Sequence, residues 1–265
     1  MLHTTTTRND WLTPLRERNL LPADALAAFV VGSAARGWHN ARSDFDIYVV
    51  TAAGQHTGTG TEVPVPLDPP FVRGRTFYAR DRRWEVTYWV AGQFDQMLAK
   101  VSWQAYEDGG TVPEEPLSWR EELSLARLGN CLPLWGEQWI AHSQERLERS
   151  AFRSFMVTRS LSEAANAVED ALGQMESGDL ESATISARTA FGRAVDALLE
   201  GEGEYGSHIP KWRPNRFRAA APRALSFEEY WTVETMRDYD PDDPRPWITG
   251  VLTVCQDLAM RVRTS

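Results

Sequence analysis

Cysteine is scarce in this 265-residue chain: only Cys131 and Cys255 occur, far apart in sequence. That spacing suggests neither a disulfide framework nor a zinc-ligand cluster. Long apolar runs are missing as well, so nothing reaches the ~20 residues needed to span a bilayer. The first residues, MLHTTTTRND, lack the apolar stretch of a secretory leader. A cytoplasmic location away from any membrane is the resulting expectation. A basic excess is also absent. Net charge is −9, with 11 basic against 14 acidic residues through position 117 and 17 against 23 after it. Neither part has the cationic surplus that phosphate backbones attract, which disfavours a nucleic-acid-polymerising role. The acidity is compatible with a cationic small substrate, but on charge alone a surface that simply keeps the chain in solution is the stronger reading. There is no internal repeat and no low-complexity tract.

What is present divides into two styles. Up to about residue 110, short β-like runs alternate with turns: LAAFVVGS (26–33), DFDIYVV (44–50), and a hairpin over GRTFYARDRRWEVTYWV (74–90), after a short helix around 9–20. Residues 51–70, rich in Gly, Thr and Pro, read as one long loop. From about residue 117 the periodicity is helical, with Asp179 at an N-cap position and glycines closing helices. The expectation is an α/β domain over 1–117 and an all-helical domain over 118–265, divided near 110–118, where Gly110, Pro113 and Pro116 cluster.

The segment VVGSAARGWHNARSDFDIYVV (30–50) carries the chemistry. Alternate residues of a strand share a face, so Asp44 and Asp46 project together. Two adjacent carboxylates repel unless a cation lies between them. Mg²⁺ suits such a pair because it takes oxygen ligands and is usually shared with substrate phosphates. Gly32 allows a backbone to approach a phosphate closely, and Ser33 adds a hydroxyl. A turn glycine and a helix N-cap are the plain structural readings of the same two residues, and they are compatible with phosphate binding. Arg36 and Arg42 are within reach of a phosphate, though loop arginines are commonly solvated. Glu85 is a lone acid among Trp84, Val86, Tyr88 and Trp89. On a neighbouring strand it would be a third carboxylate, as metal-assisted phosphoryl-type transfer requires. On an edge strand it would face solvent.

Val31, Gly32, Ser33, Gly37, Ser43, Asp44 and Asp46, followed by the apolar run Ile47 to Val50, resemble the DNA-polymerase-β-like nucleotidyltransferase superfamily. The shared pattern is Gly-Ser, a second Gly four residues on, then Ser-Asp-x-Asp leading a strand, with a third acid on a later strand where Glu85 stands. NCLPLWGEQW (130–139) and the helical second half resemble the antibiotic-modifying members, the streptomycin/spectinomycin adenylyltransferases and kanamycin nucleotidyltransferase. The resemblance implies an α+β nucleotidyltransferase domain, a mixed sheet with flanking helices, followed by a helical bundle. It implies Asp44, Asp46 and Glu85 as ligands of two Mg²⁺ and as the catalytic carboxylates. It places Gly32, Ser33, Arg36, Ser43 and Lys211 on the nucleotide and Asp179 near the acceptor. The activity implied is transfer of a nucleoside monophosphate, AMP from ATP first, to a hydroxyl of a small aminoglycoside-like or biosynthetic molecule, with release of pyrophosphate. The partners would be a nucleoside triphosphate and that acceptor, with no nucleic acid and no membrane, on a monomer or homodimer. The alternative is an antitoxin of the same fold that binds a toxin protein or adds AMP to it; the roughly 150 residues after the first domain speak against it.

Overall fold

The structure is a computed structural model that describes residues 8–53, 60–109 and 117–263. Residues 54–59 of the expected loop, and Gly110, Pro113 and Pro116 at the expected boundary, lie outside the described residues. The chain forms two compact units. One holds the described residues through Asp108 and from Leu117 to Ser150, and the other holds Gly109 and the described residues from Ala151 on.

The first unit is built on a six-stranded mixed sheet. Helix α1 (Arg8–Glu17) leads into β1 (Ala25–Val31), a single turn α2 (Gly32–Ala35), and β2 (Phe45–Thr51). Strands β3 (Thr61–Pro64), β4 (Phe71–Ala79) and β5 (Arg82–Val90) follow, then helices α3 (Ala91–Lys100), α4 (Trp103–Asp108) and α5 (Trp119–Gly129). Strand β6 (Leu132–Trp135) and helix α6 (Glu137–Arg149) complete the unit. The order across the sheet is β3-β4-β5-β2-β1-β6. Every neighbouring pair is antiparallel except β2 and β5.

Strand alternation sorts the side chains by face. Ile47, Val49, Trp84, Val86 and Tyr88 turn to one side, where Trp11, Leu12 and Leu15 of α1 cover them in a single buried cluster. On the other side Phe29, Tyr48, Trp89 and Phe94 meet edge-on or tilted. This second face carries Asp44, Asp46 and Glu85.

The first unit extends past residue 117, the limit expected from the helical periodicity. Strand β6, only four residues long and set among helices, pairs with β1 through Ala28–Trp135, Phe29–Pro133 and Val30–Leu132. That pairing binds α5 and α6 to the sheet. The stretch expected as one loop over 51–70 also contains β3, whose residues 61–64 pair with 71–74 of β4.

The second unit is helical. Helices α7 (Phe152–Ser177) and α8 (Leu180–Gly201) form a long pair, joined at Gly178, which has φ +85°, and Asp179, whose side chain accepts the Ser182 amide as an N-cap. Their contact is rich in alanine: Ala164, Ala167 and Ala171 share one core with Ala183, Ala187 and Ala190. Small side chains there allow close axial approach. A 3₁₀ turn (Pro210–Trp212), α9 (Arg213–Ala220), α10 (Phe227–Glu234) and α11 (Arg245–Arg261) complete the unit. It also buries charge. Asp196 accepts from Arg213 at 2.8 and 3.1 Å and from Arg216 at 2.8 Å, and Ser160 donates to Glu200 Oε2 at 2.6 Å.

Candidate active site

Asp44 immediately precedes β2, Asp46 lies within it, and Glu85 lies on the parallel neighbour β5, in register opposite Asp46. Strand β5 is interior, flanked by β4 and β2, so the edge-strand reading of Glu85 does not apply. Its apolar neighbours Trp84, Val86 and Tyr88 face the α1 side, which leaves Glu85 on the same face as the two aspartates. Register and alternation therefore put the three carboxylates on one face of the sheet. On the opposite flank Asp46 pairs with Val31, the residue before Gly32.

Gly32 is constrained from two directions. Its φ is +67°, in the left-handed region, and a Cβ there would come within 2.8 Å of Asp46 Oδ2. A side chain would meet both backbone strain and a carboxylate. The chain bends sharply at Gly32, the first residue of α2, so that Ser33 follows next to the carboxylate face. The Ser33 carbonyl accepts the Trp38 amide at 2.9 Å, which closes this loop.

Two arginines balance the acids. Arg83, two residues before Glu85 and on the same face, places Nη2 2.5 Å from Glu85 and Nη1 3.6 Å from Asp44. Arg127 of α5 lies 3.4 Å from Asp46 and donates to the Tyr48 hydroxyl at 3.1 Å. Tyr48 is fixed in turn by Ser124 at 3.2 Å, one turn before Arg127 on the same helix. Burial raises the Asp46 pKa above its ordinary value. Arg127 opposes this, Asp44 adds to it, and Arg83 opposes it. The site thus contains a carboxylate whose charge is disfavoured by burial, and further by Asp44, and is partly restored by guanidinium charge. Neither arginine was expected from sequence. Arg127 had one visible signal, a lone cation in the otherwise apolar run LSLARLG.

Among the described residues, no three His, Cys, Asp or Glu side chains stand close enough to hold a metal as they are arranged. Arg83 spans two of the three carboxylates, so the space between Asp44 and Glu85 already accommodates a cation. Three carboxylates on one face are the hard oxygen donors that a divalent ion prefers. In donor type the residues fit such an ion, provided Arg83, 45% exposed, swings aside.

The other expected residues play varied parts. Ser43 braces the turn before Asp44: its hydroxyl accepts the Asn40 amide at 3.0 Å, and its carbonyl accepts from Arg82 at 3.2 Å. Arg36 lays its guanidinium over the Trp38 ring at 4.1 Å. Asp179 and Lys211 belong to the second unit. Asp179 is fully exposed and caps α8, with its carboxyl held below its ordinary value by the hydrogen bond from Ser182. Lys211, 5.5 Å from the Trp212 ring, lines a shallow cleft of about 580 Å³ together with Arg188, Trp231 and Glu234.

No protein-family model matches the chain, and no curated protein matches it in sequence. Among solved structures it is similar to a nucleotidyltransferase-like protein from Exiguobacterium sibiricum 255-15, with a TM-score of 0.50 at 9% identity, over 96% of this chain and 74% of that one. At that identity the likeness is one of architecture: a mixed sheet with flanking helices followed by a helical region, the fold of a nucleotidyltransferase-like protein.

Proposed function

We propose that the chain is a nucleotidyltransferase that moves a nucleoside monophosphate, AMP from ATP first, onto a hydroxyl of a small molecule. One observation carries the reading: the register that sets Glu85 beside Asp46, on the face shared with Asp44 and bordered by Gly32. Asp44, Asp46 and Glu85 would hold Mg²⁺. Bound there, the metal supplies charge neutralisation for the phosphates and a lower pKa for the acceptor hydroxyl.

The chain's own residues do the rest. The bend at Gly32 lets the main chain of Gly32 and Ser33 approach the phosphates, and the Ser33 hydroxyl donates to a phosphate oxygen. Glu85 takes the acceptor's proton as its oxygen bonds to the α-phosphorus. The bond from that phosphorus to the β-phosphate oxygen breaks, and pyrophosphate leaves with its electron pair. Arg83 pairs with Glu85 and Asp44 between turnovers, and Arg127 holds Asp46 in place through its contact with Tyr48. A polycationic, aminoglycoside-like acceptor agrees with the −9 net charge, and the same site serves a biosynthetic alcohol equally.

The test is a screen of the four nucleoside triphosphates with Mg²⁺ against a panel of hydroxylated small molecules, read by pyrophosphate release and product mass. A product heavier than its acceptor by one nucleotide supports the reading, provided Glu85→Gln lowers the rate by about 10²-fold or more. Full activity in Glu85→Gln removes Glu85 from the site. Binding of nucleotide with no release of pyrophosphate for any acceptor counts against transfer.

A further inference from the structure

A cleft of about 710 Å³ opens in the second unit where α8, α9 and α11 end. Arg153, Arg223, Arg261 and Arg263 line it, and Glu202 is its single acid. The rest of the lining is leucine, valine, alanine and glycine. In a chain of net charge −9, such a surplus of cations in one concavity runs against the surface as a whole.

Helix C-termini attract arginines because their last carbonyls carry partial negative charge. Here main-chain groups serve those carbonyls. Leu199 and Glu200 of α8 accept from the amides of Glu202, Gly203 and Glu204, Phe217 of α9 from Ala221, and Leu258 of α11 from Val262. Arg261 reaches one carbonyl, that of Ala224, at 3.4 Å. Among the described residues, Arg153, Arg223 and Arg263 form no ion pair and no side-chain hydrogen bond. These arginines are exposed and gathered around one space in which Glu202 is the single acid against four cations. Like charges so placed repel each other, and an anion between them removes the repulsion. Guanidinium forks match phosphate oxygens two at a time. Four of them around this volume exceed what a single phosphate needs. No aromatic side chain lines the cleft to stack on a base.

We propose that this cleft binds a chain of several phosphates through its oxygens, without reading any base attached to it. The ligand class is inorganic oligophosphate, or the phosphate tail of a nucleotide held only by its charge.

The full-length protein titrated calorimetrically with tripolyphosphate tests this. EDTA excludes divalent ions, so that the three carboxylates of the first unit repel the probe. The expected result is saturable one-to-one binding that weakens as salt is raised. Arg153→Gln and Arg223→Gln each weaken it by about tenfold or more, the loss of one charged hydrogen-bonding partner. Arg223→Lys, which keeps the charge but loses the fork, falls between Arg223→Gln and the unaltered chain. Arg237→Gln, outside the cleft, changes nothing. ATP binding as tightly as tripolyphosphate shows that a nucleotide's tail is accepted, and weaker ATP binding identifies the free oligophosphate as the ligand. Absence of saturation, equal affinity in the Arg153→Gln/Arg223→Gln double variant with unchanged melting temperature, or a tenfold preference for ATP overturns the proposal.

Discussion

Gly32 is the residue on which the geometry of the candidate site turns most directly. An alanine there would hold a positive φ and press its Cβ to 2.8 Å from Asp46 Oδ2. The expected cost is about 1–3 kcal/mol of stability, read as a lower denaturant midpoint. Transfer activity should fall further than stability accounts for, because the carboxylate is pushed from its register. Arg127 makes a second case. Arg127→Met removes the guanidinium that opposes the effect of burial on Asp46. The Asp46 pKa should then rise further above its ordinary value, and the acid limb of the pH–rate profile should move to higher pH. An unchanged acid limb would show that Arg127 does not tune this carboxylate.

At the scale of elements, β6 and its junction with α6 hold the edge of the sheet. Gly136 caps α6 at φ +69°, and a Cβ on it would lie 1.9 Å from the Leu26 carbonyl oxygen of β1. The Cβ position is fixed by the main chain and the atom it meets is main-chain, so no side-chain rotation relieves the clash. Gly136→Ala should cost at least about 2 kcal/mol and lower the melting temperature by about 4 °C or more. In the sequence, the Pro-Leu-Trp-Gly run around this residue was readable only as a family likeness. The structure supplies its physical reason, a backbone crossing too close for any side chain. Legibility followed the same line elsewhere. Period-two alternation and turn chemistry made β1, β2 and the β4–β5 hairpin readable, and with them the common face of Asp44, Asp46 and Glu85. A four-residue strand such as β6 has too short a period to read, and helical segments on both sides mask it. The Arg127 contact with Asp46 spans 81 positions, and no local pattern records it.

For the whole molecule, the chain's division after Ser150 changes what a truncation should do. A fragment ending at residue 117 lacks β6, α5 and α6. It leaves β1 as an open edge and Tyr48 without Ser124 and Arg127. It should aggregate, whereas a fragment ending at residue 150 should unfold cooperatively in denaturant. The second unit adds a dependence on pH. Burial pushes the Glu200 carboxyl up to about 8; Arg216 opposes this, Asp196 adds to it, and Ser160 and Arg159 oppose it. Because the folded state holds this proton more tightly than the unfolded chain, stability is greatest below the ordinary glutamate value near 4.5. It declines as pH rises from there to about 8, and then levels off. Melting temperature should drop by several degrees across that window, and Glu200→Gln should flatten the decline. A variant whose melting curve tracks that of the unaltered chain at every pH would place the titration elsewhere.

The pairing of β6 with β1 also sets an order in time. A ribosome emits β1 about a hundred residues before β6, which at about 5–20 residues per second is an interval of roughly 5–20 s. Through that interval a buried, hydrophobic strand has one flank bare, and Asp46 waits for the arginine that will neutralise it. The nascent chain is therefore most exposed to wrong strand partners just before α5 and β6 emerge. Folding helpers that hold sticky edges would matter most at that point in its synthesis.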